Sequence, residues 1–302
     1  VSADGYRDAT ALWQAVTDRS KQAAKQTGED PAAYIRNFVY GRFLARVFQD
    51  PDAPWVVKGG TAALVRIHDA RTTKDIDLLG QLDDTDQALK ALRSLLAVDL
   101  NDHLRFQITT VEPSLAGGGQ PEVDGRRLRV EPYVGASRKE PFTVDLVTGS
   151  LLTAEPEPAP LPGIDIPGLG APTLRLYPLV DHIADKLCAI QAGYGADGSR
   201  PSSRVKDLVD LVVFARREDV EGAALHTAIL GEWDHRHLAG RPVFTPPASW
   251  DKQYPRLARK TAACEGFTDF AMATELVDRF LGPALDGTAH GQSWSAARAA
   301  WK

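Results

Sequence analysis

Cysteine is almost missing from this chain: Cys188 and Cys264 are the only two in 302 residues. That excludes a disulfide framework and a cysteine-rich zinc site. Cys188 stands in the apolar-patterned "IADKLCAI" and reads as a reduced core thiol. No run of about 18 apolar residues occurs, which is the length a membrane-spanning helix needs. The N-terminal stretch lacks the apolar segment of a secretory leader. A cytoplasmic protein with no membrane partner is the expectation. An excess of basic residues is missing too: the net charge is −5 and the pI near 5.8. The chain is therefore not a strongly basic nucleic-acid binder, although a local basic patch can act within an acidic whole. There is no G-x-x-x-x-G-K-[ST] phosphate loop and no evident Ser-His-Asp or Cys-His arrangement. His235 and His237 are two apart, but no cysteine or third histidine joins them in metal spacing.

What is present has ordinary globular proportions, and at roughly 100–200 residues per domain the length suggests two domains. Residues 9–28 are polar and rich in Ala, Gln and Lys, which predicts a surface helix. Asp30 followed by Pro31 offers an N-cap and a first-turn proline for a second helix. Its Ile35, Phe38, Val39, Phe43, Leu44 and Val47 recur near the helical period. "PWVVKGG" reads as a short buried strand broken by glycine, and "TAALVRIHD" as a helix from Thr61. "DIDLLG" is a second strand, followed by a helix over 84–98. Three strands follow, "LRFQITTV", "RLRVEPYV" and "FTVDLVTG", with "AGGGQ" as a hairpin loop between the first two.

Composition changes over 153–174, where proline and glycine rule out a helix or a central strand and predict a connector or draped loop. Beyond it the pattern is helical over 178–193, 204–217, 220–231 and 266–282. The chain thus reads as α+β: N-terminal helices and a strand-bearing core over 1–152, a connector over 153–174, and a helical C-terminal domain over 175–302.

The chemistry-bearing residues begin at Gly59-Gly60. A glycine pair that ends a strand and opens a helix lets backbone N–H groups approach a phosphate, with Thr61 offering a hydroxyl and Lys58 and Arg66 charge nearby. An ordinary turn is the other reading. Asp75 and Asp77 then stand two apart in a strand and so point to one face. Two carboxylates that close repel unless a proton or cation lies between them, and Mg²⁺ uses one or two carboxylates together with substrate phosphates. The alternative is an exposed strand face paired with Lys74 or Arg71. Asp145 lies among apolar neighbours in "FTVDLV". Beside Asp75 and Asp77 it would complete a triad for two-metal, in-line nucleotidyl transfer. Otherwise it is a strand-edge acid.

Together these residues resemble the nucleotidyltransferase superfamily, whose signature is a glycine turn, a helix, and Asp-x-Asp flanked by apolar residues. Gly59-Gly60-Thr61 and Asp75-Ile76-Asp77-Leu78 match it, with a gap at the long end of the pattern. More narrowly, "VKGGTAALVR…RTTKDIDLL" resembles the AbiEii/MenT-like nucleotidyltransferase toxins of bacterial toxin–antitoxin pairs. "DHIADKLCAI" and "RVKDLVDLVVF" match that group's downstream lysine and acid, supplying Lys186, Arg204, Lys206, Asp207 and Asp210. The matches cover about a third of the chain; apart from them Lys186 reads as a surface-helix lysine paired with Asp185 or Asp181, and Asp207 and Asp210, three apart on a helix, as one acid turned to the site with the other outside. The resemblance implies a mixed-sheet nucleotidyltransferase core, Mg²⁺ at a two-metal site on Asp75 and Asp77, an NTP substrate whose triphosphate meets Lys186, and an essential acid at Asp210, with Asp207 as competitor. It also implies transfer of NMP to the 3′ end of tRNA, a cognate antitoxin, and a hydroxyl at Thr73 open to phosphorylation. Lys58, Gly59, Gly60, Thr61, Arg66 and Arg71 are the phosphate-binding candidates. Arg204, Arg256, Arg259 and Lys260 are the RNA-contact candidates, alongside looser basic groups at Arg126, Arg127 and Arg129, at Arg216 and Arg217, and around Trp233.

Overall fold

The computed structural model describes residues 5–70, 73–113, 123–194 and 200–302. Arg71 and the "AGGGQ" loop lie outside the described residues. Helix α1 (Ala9–Thr27) is capped by the Asp8 carboxylate, which accepts from the Ala11 N–H, and ends at left-handed Gly28. Helix α2 (Pro31–Val47) starts as the Asp30-Pro31 pair predicts, with Asp30 accepting from the Ala32 N–H. Then follow β1 (Trp55–Val57), α3 (Gly59–Arg66), β2 (Asp75–Gly80), α4 (Thr85–Leu96), β3 (Leu104–Pro113), β4 (Asp124–Val134), β5 (Ser137–Arg138), β6 (Phe142–Thr148), β7 (Glu157–Pro160) and β8 (Thr173–Leu176).

Among the described residues these eight strands form one mixed sheet, ordered β3-β4-β6-β2-β1-β8-β7 with β5 alongside β4. β2 runs parallel to β6, and β1 parallel to β8; the other pairs are antiparallel. Three of these strands, β5, β7 and β8, were not expected. The 153–174 stretch carries β7 and opens into β8, because a proline-bearing strand is tolerated at a sheet edge, where the missing N–H breaks no ladder.

The C-terminal half packs α5 (Leu179–Gln191), α6 (Val205–Arg217), α7 (Gly222–His235), α8 (Tyr254–Ala258) and α9 (Phe270–Leu285). It also holds a small sheet of β9 (Val220–Glu221), β10 (Ser293–Ser295) and β11 (Ala300–Trp301) that the pattern reading did not anticipate. Two large apolar cores result, beside a small third cluster of Val56, Leu79, Val147 and Tyr177. One lies between the large sheet and α1, α2 and α4, around Phe43, Trp55, Ile76 and Leu146. The other lies among the C-terminal helices, around Leu208, Phe214, Phe280 and Trp294. Helix α3 stands between them: Ala62 belongs to the first core, Ala63 and Ile67 to the second. No helix among the described residues is long and apolar enough to cross a membrane.

Two buried polar features hold the frame. Arg42 and Arg46 leave α2 toward Asp102, which accepts from Arg42 Nε at 2.8 Å and from Arg46 Nη2 at 2.8 Å and Nη1 at 3.0 Å. Burial pushes the Asp102 carboxyl up, but the guanidiniums of Arg46 and Arg42 outweigh it and hold it below the usual carboxylate range. His182 of α5 lies between the rings of Tyr177 and Phe214, fully buried, and neither ring nitrogen has a hydrogen-bond partner. Burial first, and then the nearby Lys186, keep its pKa well below the ordinary histidine value.

Asp102→Ala strands two buried guanidiniums and is expected to lower the urea unfolding free energy by about 3–5 kcal/mol. The histidine carries a pH signature. The unfolded imidazole titrates near pH 6.5 while the folded one stays neutral, so the unfolded chain binds more protons below that pH. Stability is full above about pH 6.5 and falls as the pH drops toward the depressed folded value. His182→Phe should flatten the fall in urea midpoint between about pH 6.5 and 5; an unchanged slope would assign it to other groups.

Candidate active site

At the end of β1 the chain must turn into α3, and it does so with Gly59 at φ +55°. A side chain here would be strained, and its Cβ would run into the Asp77 carboxylate. Only a glycine lets the helix start against that acid. The Gly60 N–H donates to Asp77 Oδ2 at 3.2 Å, and the Lys58 N–H to the Asp77 carbonyl at 2.9 Å. Thr61 Oγ1 donates to the Asp75 carbonyl at 2.9 Å, so its hydroxyl ties the helix to the strand.

On β2 the alternation of buried Ile76 and Leu78 with part-exposed Asp75 and Asp77 turns both acids to one face. Parallel pairing puts Asp145 of β6 in register with Asp77. The next strand places Arg127 opposite Asp145, and the two form a forked pair, Nε to Oδ1 at 2.8 Å and Nη2 to Oδ2 at 2.7 Å. The three acids are thus brought to adjacent strand positions, with the third held by a guanidinium.

Facing them is a wall of cations and acids from α5, α6 and α7. Lys186 is buried, its ammonium 2.8 Å from Asp207 Oδ1 and 3.0 Å from Asp210 Oδ2. Burial would lower the Lys186 pKa, but Asp207 and Asp210 raise it above the ordinary lysine value. Asp207 also pairs with Arg204 at 2.6 Å, and Lys186 and Arg204 together overcome its burial and hold its carboxyl down. Asp185 accepts from Arg236 at 2.8 Å and lies 4.0 Å from Lys58; burial raises its pKa, but Lys58 and Arg236 drive it well below the usual range. Lys58 Nζ donates to Ser150 Oγ at 2.8 Å and sits 4.2 Å from the centre of the Tyr177 ring. Between these elements opens a cleft of about 430 Å³, lined on one side by Lys58, Gly59, Gly60, Asp77, Arg127 and Asp145, and on the other by Asp185, Lys186, Arg204, Lys206 and Asp207.

Asp75 and Asp77 offer oxygen only, which suits a hard ion that takes its other ligands from phosphates and water. Among the described residues no three His, Cys, Asp or Glu side chains converge as a cage. The residues therefore fit a two-carboxylate ion completed by substrate, with Asp145 joining only once Arg127 has turned away.

The structure sorts the remaining candidates. Lys186 is not on a surface helix paired with Asp185 or Asp181; Asp181 instead accepts from the Thr153 N–H at 3.0 Å. Asp207 and Asp210 do not point apart but meet the same ammonium, Asp207 on the cleft and Asp210 behind it. Arg66 pairs with Glu157 and donates to the Tyr177 carbonyl at 3.0 Å, and it does not line the cleft. Thr73 Oγ1 lies 3.4 Å from the Asp75 carbonyl. Arg256, Arg259 and Lys260 are exposed on and just after α8, away from the cleft lining. Arg217 pairs with Asp69 and Arg236 is buried, so both are structural. Asp185, Ser150 and Tyr177 carry no reading as site residues in the sequence, and Arg127 reads there only as one of the looser basic groups for RNA. Asp185 had a signal, since it adjoins Lys186, whereas Arg127 depends on strand register.

The family model for the nucleotidyl transferase AbiEii toxin, type IV toxin–antitoxin system, matches residues 42–291. No curated protein matches by sequence. Among solved structures, the MenT4 nucleotidyltransferase toxin of Mycobacterium tuberculosis is similar at a TM-score of 0.50 and 16% identity, over 89% of this chain and 96% of that one. The JHP933 protein of Helicobacter pylori matches at a TM-score of 0.44 and 16% identity, over 85% of this chain and 96% of that one.

Gly59→Ala should lower stability by about 1–3 kcal/mol through its positive φ and abolish binding of a fluorescent NTP, because the carboxylate must move. Gly28→Ala is the control: its φ is also positive, but no atom lies within 4 Å of an added Cβ. It should cost about 1 kcal/mol and leave NTP binding intact. Equal binding in both variants would remove the glycine turn from the site.

Proposed function

The chain belongs to the AbiEii family of nucleotidyltransferase toxins, and on that premise we propose that it transfers NMP from an NTP to the 3′ end of tRNA, in a Mg²⁺-dependent reaction that blocks aminoacylation. The observation that carries this reading is the Asp75-x-Asp77 pair on one strand beside a helix N-terminus, with Asp77 facing the Lys186–Arg204–Lys206 wall across the cleft. An antitoxin is the partner that the family implies.

The triphosphate fits the cleft by charge. The Gly60 N–H and the positive end of α3 face it from one side. Lys58 on that same side, and Lys186, Arg204 and Lys206 on the other, neutralise it. Asp75 and Asp77 would hold Mg²⁺, which when bound supplies charge neutralisation at the reacting phosphate and acidifies an acceptor hydroxyl. In the reaction the acceptor oxygen forms a bond to the α-phosphorus and the α–β P–O bond breaks. The hydroxyl proton passes to Asp145, whose carboxylate is freed when the Arg127 fork swings to the phosphates. Pyrophosphate leaves against Lys58 and Lys186, which stabilise its charge without reorganising.

A second reading is an NTP-binding module without transfer, favoured by the same fork, since a permanent Arg127–Asp145 pair would keep the third acid engaged.

The test is transfer of label from each of four α-³²P NTPs to total bacterial tRNA with Mg²⁺. Wild type should label the tRNA with at least one NTP, and Asp75→Ala should reduce this by a factor of about 10² or more. NTP binding without labelled RNA would discard the tRNA acceptor and favour a small-molecule or protein hydroxyl, or the non-transferring module.

A further inference from the structure

The two acids of β2 open onto different cavities. Asp77 lines the cationic cleft, whereas Asp75 lines a second cavity of about 450 Å³, and the two share no lining residue. The second cavity has an aromatic and aliphatic floor from Trp13, Val39, Tyr40 and Phe142, and cations at Arg36, Lys74 and Lys139. Its size is that of one nucleotide-scale ligand.

We propose that this second cavity is the acceptor site, taking the unpaired terminal nucleotide of an RNA strand, with the base against Trp13 and the phosphate at Lys139 and Arg36. The proposal rests on the nucleotidyl-transfer reading given above. It follows from the direction of an in-line displacement, in which the attacking oxygen and the leaving pyrophosphate lie on opposite sides of the phosphorus. Charge puts the pyrophosphate in the cleft with Lys58 and Lys186. The acceptor must then arrive across the β2 acids, which is where Asp75 meets the second cavity.

The side chains suit an unpaired nucleotide. Any base can stack on a tryptophan face, which is how single-stranded ends are held without sequence readout. In this structure the Lys139 ammonium lies 4.1 Å from the centre of the Trp13 ring, a contact a base can replace while the ammonium turns to the phosphate. The Tyr40 hydroxyl donates to the Lys74 carbonyl at 2.5 Å and so fixes the rim next to Asp75. Burial pushes its pKa up to about 12, which keeps it a neutral donor. Trp13, Arg36 and Tyr40 precede residue 42, where the family match begins, whereas Phe142, Lys74 and Lys139 lie within it.

The experiment uses the full chain with Trp13→Ala, Trp13→Phe and Lys139→Gln, each checked for wild-type circular dichroism and urea midpoint. Anisotropy is read with a fluorescein-labelled hairpin RNA carrying a four-nucleotide 3′ overhang, and with the same hairpin blunt-ended; a fluorescent NTP is titrated separately. The proposal expects wild type to prefer the overhang. It expects Trp13→Ala and Lys139→Gln to weaken overhang binding tenfold or more with NTP affinity unchanged, and Trp13→Phe to keep most of it. Where labelling proceeds, the loss should appear in the KM for RNA and not in kcat. Unchanged overhang affinity in both Trp13→Ala and Lys139→Gln overturns the pocket, even if wild type labels RNA. A weaker NTP affinity instead would reassign the cavity to the incoming nucleotide. Wild type that binds no overhang and labels no RNA overturns both the pocket and the RNA reading; labelling without the predicted loss overturns the pocket alone.

Discussion

The backbone of Gly59 lies against the Asp77 carboxylate, and the arrangement of the whole molecule depends on that close approach. It sets where α3 begins, and α3 is the helix that both cores share, through Ala62 on one side and Ala63 and Ile67 on the other. It brings the helix N-terminus within hydrogen-bond reach of the strand that carries the acids. A bulkier residue at the turn would part the helix from β2 and separate the two packed halves where the cleft is formed.

The opposite wall follows a different rule. Lys186, Asp207, Asp210, Arg204, Asp185, Arg236 and Lys58 form a chain of alternating charges in which each buried group meets an opposite one. Buried ions are tolerated when paired and hydrogen-bonded, and their geometry is then rigid because any departure leaves a charge stranded. The wall thus holds its paired charges at fixed positions, and the exposed Lys206 adds positive charge at the cleft. The Arg127–Asp145 fork is the contrasting case, since its guanidinium is half-exposed and its partner is nearly buried.

How much could be read without the structure depended on how local each signal was. The Asp30-Pro31 cap, the "DIDLLG" strand and the helical half are written in neighbouring residues, and the structure places them within a few residues of expectation. The prolines of 153–174 spoke against a helix or a central strand, and β7 formed there at the sheet edge, where a strand can spare the N–H. Lys186 read as a surface lysine or a phosphate ligand, and only the packing of α5 on α6 reveals that it is buried between two acids. Arg127 was grouped with scattered arginines because its partner lies across a strand pairing that no local pattern announces. Helix α1, read as a surface helix, turns Trp13 into a cavity beside the acids.

The proline-bearing edge strand has a further consequence. β7 closes one side of the large sheet, and two of its four residues, Pro158 and Pro160, have no N–H to offer. An incoming strand could not form a regular ladder there, so β-augmentation is blocked at that edge. A protein that silences this toxin by binding it could not extend the sheet at β7, which leaves β3 as the one terminal strand of that sheet, among the described residues, without such a block.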